Sequence, residues 1–227
     1  MEIRYVVFDM GDVLYDATLW RRWLVRVVRQ LGFDVHYPGF FEDWDGRYLP
    51  DVHLGRRAYR EAFGGFLLDR GLSPPQIAEV ETAGWAHKRT VEAQTRPFPG
   101  VFHTLEQLGR GRRVMGVLSN SELTGAELRE KLGVLGLGHF FTTVASSFDL
   151  GFRKPDPAAY YGILEQMGAE PDESVFVGHA LDELVGAAGV GMHTLAFNYG
   201  PDTLADYHAH HFSDIANIIL RTLPVAT

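Results

Sequence analysis

Cysteine is absent from the 227 residues, which removes disulfide frameworks, thiolate zinc sites and a cysteine nucleophile together, and leaves the redox compartment unmarked. Any covalent chemistry falls to Asp, Ser, Thr, Lys, His or Tyr. Lysine is scarce too. Of 21 basic residues only Lys88, Lys131 and Lys154 are lysine, so each raises the question of whether a compact ammonium is needed where this chain otherwise uses arginine. No apolar run reaches membrane length, and there is no internal repeat or low-complexity tract. Met1-Glu2-Ile3-Arg4 leads straight into a strand-like segment, so the expected location is cytoplasmic. Acidic residues outnumber basic ones, 29 to 21, and the net charge of −8 argues against nucleic acid or an anionic membrane as partner. A local basic pocket for an anionic substrate stays compatible with that balance.

What is present is enough apolar residue, 46%, for a large core. From Arg110 onward strand-like and helix-like stretches alternate, the pattern of a parallel sheet covered by helices. Strands are expected at Val114 to Leu118, Thr142 to Ala145, Ser174 to Val177, Thr194 to Phe197 and His210 to Phe212, with Arg4 to Phe8 completing the sheet. A last helix is expected from Ser213 and Asp214 through Leu223. The segment from Ala17 to Phe98 reads as helical. Leu19, Trp20, Trp23, Leu24, Val27, Val28 and Leu31 share one helix face, a second helix covers Arg57 to Arg70, and a third starts at Ser73-Pro74 with Ile77, Val80, Ala83 and Val91 on one side. Phe40, Phe41, Trp44 and Tyr48 fit packing within that helical module better than a substrate pocket. Pro97-Phe98-Pro99-Gly100 breaks the helix and returns the chain to the sheet.

Asp9 is the most informative residue. It ends the apolar run Tyr5-Val6-Val7-Phe8, and a carboxylate there is costly unless paired, hydrogen-bonded or metal-bound. The simplest explanation is a site at the carboxyl end of a parallel strand. Three further signatures follow at predicted strand ends or helix starts: Leu118-Ser119-Asn120, Arg153-Lys154-Pro155-Asp156-Pro157 and Val177-Gly178-His179-Ala180-Leu181-Asp182-Glu183. Together with Phe8-Asp9-Met10-Gly11-Asp12-Val13-Leu14, the set resembles the haloacid dehalogenase-like hydrolase superfamily, with a helical cap inserted between the first and second motifs. The resemblance spans the whole chain. It implies an α/β fold with a Rossmann-like catalytic core of residues 1–16 and 97–227 and an α-helical cap of residues 17–96.

The resemblance also implies roles. Asp9 is the expected nucleophile, forming an aspartyl-phosphate; Ser119, Asn120 and Lys154 are expected to hold the phosphoryl oxygens, with Lys154 also neutralising the nucleophile. A divalent metal, magnesium first and manganese second, is expected on Asp9, the Gly11 carbonyl and Asp182, with Glu183 as the second choice of acid. The chain departs from the family pattern twice. Gly11 stands where most of its phosphatases carry an acid-base Asp, and His179 where a metal-binding Asp usually follows the Gly. The expected activity is a metal-dependent phosphatase of a small phosphorylated metabolite, slow or favouring good leaving groups. Two alternatives stay open: a metal-free 2-haloacid dehalogenase, and a weakened member that binds a phosphorylated ligand or a partner. His208, His210 and His211 fit an exposed strand edge better than a metal site.

Overall fold

The computed structural model describes residues 3–222 and separates into two compact units, Met1–Asp16 with Arg96–Thr227, and Ala17–Thr95. In chain order, β1 (Tyr5–Phe8) precedes the second unit, which holds α1 (Leu19–Gln30), α2 (Tyr37–Asp43), α3 (Leu49–His53), α4 (Tyr59–Asp69) and α5 (Pro74–Gln94). The first unit continues with α6 (Val101–Arg110), β2 (Val114–Ser119), α7 (Gly125–Val134), β3 (Thr143–Ser146), α8 (Ser147–Leu150) and α9 (Pro157–Met167). It ends with β4 (Ser174–Gly178), α10 (Leu181–Gly189), β5 (His193–Phe197), β6 (Tyr207–Ala209) and α11 (Phe212–Asn217).

The six strands form one parallel sheet in the order β3-β2-β1-β4-β5-β6. The apolar runs read from the sequence are central strands: Val6, Val7, Phe8, Val175, Phe176 and Val177 are all 0% exposed, as expected where helices cover both faces. Val7, Leu118 and Phe176 pack with Tyr160, Ile163 and Leu184 of α9 and α10, while the Phe8 ring lies between Phe141 and Phe212 at 6.0 and 6.2 Å. Strand order reverses at β1, which has β2 on one side and β4 on the other, so the crevice at their carboxyl ends is the place where such sheets take ligands.

The sixth strand differs from the reading of the sequence. It runs Tyr207–Ala209 rather than His210 to Phe212, because His211 caps α11. Its N–H donates to Asp214 Oδ2 at 2.8 Å, and Phe212, 2% exposed, begins the helix instead of ending a strand. The last helix runs as α11 and then a π-helical turn, Ile218–Thr222, while its expected end at Leu223, like Met1 and Glu2 at the other end, lies outside the described residues.

Within the helical unit, Phe40, Phe41, Trp44 and Tyr48 are buried in one cluster with Leu24, Val28, Phe66 and Leu67. Trp44 stands 5.3 Å from Phe66, and Phe40 4.8 Å. The segment between α2 and α3, Trp44–Tyr48, is a π-helical turn. The inner side of α5 runs through Ile77, Val80, Gly84 and His87 rather than Ala83, which is exposed. His87 stacks on Trp23 at 4.6 Å, and Trp23 lies close over Gly84.

Candidate active site

Three of the chemistry-bearing residues directly follow strands of the central crevice. Asp9 comes directly after β1, and its N–H donates to the Val177 carbonyl at 2.9 Å, so the β1–β4 pairing fixes its backbone. Asn120 comes directly after β2, His179 directly after β4, and Lys154 lies between α8 and α9. The turn holding Lys154 is set by α9, where the Asp156 side chain caps the helix by accepting from Ala158 N–H at 2.9 Å and Pro157 occupies the first turn. Gly186 on α10 permits the approach from the other side. A Cβ there would stand 2.7 Å from the Pro155 carbonyl oxygen, too near for any side chain.

Lys154 is 0% exposed, and its ammonium meets two carboxylates, Asp9 Oδ1 at 2.6 Å and Glu183 Oε2 at 2.8 Å. His179 Nδ1 lies 3.2 Å from Asp9 Oδ2, so both oxygens of Asp9 face a nitrogen. Burial alone would disfavour an Asp9 carboxylate, but the Lys154 charge and the bond and charge of His179 outweigh it and hold the group at about 2. The converse applies to the bases. Burial works against both cations, yet Asp9 and Glu183 push Lys154 up, and Asp9 foremost pushes His179 up. Glu183 is raised, because burial outweighs the attraction of Lys154. Asp9 is therefore an ionised, nearly dry carboxylate at neutral pH, which is what a nucleophile needs.

Asn120 uses its whole amide on the scaffold. Its Nδ2 donates to the Lys154 carbonyl at 3.0 Å and to Glu183 Oε1 at 3.1 Å, and its Oδ1 accepts from Lys154 N–H at 2.8 Å. The side chain expected to hold phosphoryl oxygens thus clamps the lysine and the glutamate in place. Ser119 is the last residue of β2 and is buried. Of the adjacent acids on α10, Glu183 reaches Lys154 and Asn120, whereas Asp182 is exposed and its Oδ1 accepts from the Glu183 N–H at 3.0 Å. One residue is a rotation of about 100° on a helix, so only one of the two can face the crevice. Gly11 opens a turn in which Asp12 adopts φ 57° and donates its N–H to the Tyr15 carbonyl, with the Asn198 amide donating to the Asp12 carbonyl. Asp12 is near enough for its charge to act on His179.

Two contributions escaped the reading of the sequence. Tyr160, whose spacing marks only a helix core position, donates its hydroxyl to the Glu183 carbonyl at 2.6 Å and so anchors the first turn of α10. Tyr15 lies under Lys131, whose ammonium is 4.9 Å from its ring, and burial raises the Tyr15 hydroxyl pKa against that cation. The scarcity of lysine was the available signal for Lys131. The three histidines near β6 have other partners: His208 Nε2 meets the Thr203 carbonyl at 3.0 Å, His210 Nδ1 meets the Tyr199 hydroxyl at 3.2 Å, and His211 caps α11.

A nucleophile-like Asp after β1, a lysine bridging it to an acid after β4, and a helical unit inserted after the first strand agree with the comparison to known families. The family model for haloacid dehalogenase-like hydrolases matches residues 3–191. The chain belongs to the haloacid dehalogenase-like hydrolases. A glyceraldehyde 3-phosphate phosphatase from Methanothermobacter thermautotrophicus is 38% identical over 199 residues, covering 86% of each chain. One from Methanopyrus kandleri is 31% identical over 205 residues, covering 87% of this chain and 85% of its own. Among solved structures, a 2-haloacid dehalogenase from Pseudomonas syringae superposes with a TM-score of 0.63 at 25% identity, covering 97% of this chain and 99% of the other.

Phosphatases of this family generally use a divalent metal, commonly magnesium. The donor set here does not fit one. Among the described residues no group of three or more His, Cys, Asp or Glu side chains is placed to hold a metal ion. Asp9 faces Lys154 and His179, Glu183 faces Lys154 and Asn120, and Asp182 is exposed. Position 179 carries an imidazole where a hard cation would need oxygen.

Proposed function

We propose that this chain hydrolyses a small phosphorylated metabolite through Asp9. The observation that carries the reading is the buried, ionised Asp9 carboxylate held at 2.6 Å from the Lys154 ammonium at the carboxyl end of the central strand. The glyceraldehyde 3-phosphate phosphatases that resemble it over most of its length support the substrate class.

In this reading an Asp9 oxygen attacks phosphorus and the bond from phosphorus to the leaving oxygen breaks. The electron pair stays on that oxygen, which takes a proton from water because Gly11 offers no acid. Water then adds to phosphorus, the bond to Asp9 breaks, and inorganic phosphate leaves with the carboxylate restored. Lys154 balances charge on Asp9 and on the transferring group, while Ser119 and the backbone N–H of Asn120 hold its oxygens. Asn120 and Glu183 act by positioning Lys154. Residues 1–16 and 97–227 serve as the catalytic core, and residues 17–96 as the cap that selects the substrate.

The test is phosphate release from a panel containing glyceraldehyde 3-phosphate, phosphoglycolate and simple alkyl and aryl phosphates, for the wild-type chain and Asp9→Asn. Turnover that is faster on aryl than on alkyl esters and falls at least about 10³-fold in the variant is expected. Halide release from 2-haloacids without phosphate release would replace this reading by a dehalogenase.

A further inference from the structure

One of the two departures from the family pattern, His179, stands against the nucleophile. His179 brings Nδ1 to 3.2 Å from Asp9 Oδ2, on the carboxylate oxygen that Lys154 does not occupy. Nδ1 is buried and lies near Asp9 Oδ2 without a hydrogen bond of good geometry, although the side chain as a whole is 31% exposed, so the ring sets one nitrogen beside the nucleophile and keeps part of its edge open. We propose that the His179 ring, together with the Lys154 ammonium, takes the place beside Asp9 that a divalent cation holds in metal-dependent relatives, so that phosphoryl transfer at this site runs without a bound metal.

The proposal rests on the reading of the site as a phosphoryl-transfer centre, and three features argue for it. The first is the donor set. A metal on Asp9 needs further oxygen ligands, and both acids of α10 are otherwise disposed: Glu183 lies 2.8 Å from Lys154 and accepts from Asn120, and Asp182 is exposed with its Oδ1 on the Glu183 N–H. The second is charge. Lys154 already sets an ammonium against both Asp9 and Glu183. A ring at 179 adds no negative charge beside Asp9, whereas an Asp there would add one and strengthen the field that draws in a divalent ion. The third is function. The chemistry a metal supplies here is positive charge against Asp9 and the incoming phosphoryl group, and an imidazole nitrogen 3.2 Å from the carboxylate can supply a dipole or charge at the same place. His179 follows β4 directly, and β4 pairs with β1 through Phe8 and Val177, so its distance to Asp9 is set by the sheet.

The deciding experiment compares wild type, His179→Asp and His179→Asn, each stripped with a chelator, using phosphate release from p-nitrophenyl phosphate and glyceraldehyde 3-phosphate and calorimetric titration with Mg²⁺ and Mn²⁺. Wild-type turnover is expected to change by less than about twofold between chelator and added metal, with no heat of metal binding. His179→Asp is expected to bind metal and to lose at least about tenfold of its turnover in chelator. His179→Asn should fall roughly 10²-fold and not recover with metal, with its thermal midpoint showing that the fold is retained. Wild-type turnover that disappears in chelator and returns with Mg²⁺, or wild-type metal binding as tight as that of His179→Asp, would overturn the proposal. If no phosphate ester is turned over by any of the proteins, the phosphatase reading fails, while the calorimetry still decides whether His179 excludes the metal.

Discussion

The two units of this chain use charge in opposite ways. At the strand ends Lys154 is fully buried between Asp9 and Glu183. In the helical unit the ion pairs range from exposed, Arg60 with Glu81 and Arg47 with Asp43, their arginine side chains 73% and 66% exposed, to half-buried, Arg21 with Asp45 and Arg70 with Asp43, both at 2.7 Å, while the interior is an aromatic cluster around Trp44 and Phe66. A buried ion that loses its partner costs about 3–5 kcal/mol, whereas an exposed pair contributes roughly 0.2–1 kcal/mol. The helical unit thus obtains its stability from apolar packing and uses charge as a solvated covering. The site accepts a costly burial of three ionic groups, and nothing in packing requires them there. Such burial away from packing need is the physical mark of a functional centre.

The largest effect expected from this contrast is that of Lys154→Met, which leaves Asp9 and Glu183 facing one another without their shared cation. Turnover should fall at least about 10³-fold, and stability by about 3–5 kcal/mol unless one carboxylate takes up a proton. Steady-state kinetics and urea unfolding would measure the two losses separately. Retained activity would mean that Lys154 is structural. Trp44→Ala in the helical unit is the matching test, since Trp44 is 1% exposed in the aromatic cluster. A cost of about 3–5 kcal/mol is expected from lost packing, read as a lowered urea midpoint.

Lowering the pH should distinguish the site further. Asp9 has a folded pKa near 2 against 3.8 for a free carboxylate, so it binds a proton more readily unfolded than folded. The stability it contributes is fully present above 3.8 and is lost as pH falls from there to about 2. Asp9→Asn should flatten the acid limb of the stability curve over that interval. An unchanged limb in chemical unfolding at several pH values would show that Asp9 is not held ionised by Lys154 and His179. Lys154, raised by the same pairing, gives the opposite sign: its contribution is complete at neutral pH and is lost only in strong alkali, above its ordinary value of 10.5.

How much of this was readable in the sequence depended on the kind of signal. The central strands were legible because β-branched and aromatic runs buried on both faces have few other uses, and Asp9 was legible because a carboxylate ends one of them. Lys154 stood out as a rare lysine between an Arg and two nearby prolines. The strand at Tyr207–Ala209 was not legible, since three edge residues carry no periodicity and the capping role of His211 depends on Asp214 being in reach. The helices from Tyr37 to His53 were hidden by Pro38 and Pro50, which look like breakers but occupy first turns, where proline is tolerated. At the site the limits were geometric. Spacing alone could not choose between Asp182 and Glu183, nor tell that the Asn120 amide faces Lys154 and Glu183 instead of open crevice.

The smallest effect belongs to the exposed charges, and it completes the contrast because it separates the presence of an ion pair from its burial. Arg60 donates to Glu81 from two nitrogens, at 2.9 and 3.1 Å, a closer and more complete pairing than many surface contacts. Its geometry rivals that of Lys154 with Asp9. If geometry decided the energy, Arg60→Ala would cost several kcal/mol. The guanidinium is 73% exposed, although Glu81 is only 12% exposed, so solvent screens the pair from the arginine side and the expected cost is about 1 kcal/mol, shrinking in high salt. A double-mutant cycle of Arg60→Ala with Glu81→Ala, measured by urea unfolding at low and high ionic strength, reads the coupling directly. A coupling above about 2 kcal/mol would mean that solvent exposure is not what distinguishes the two units.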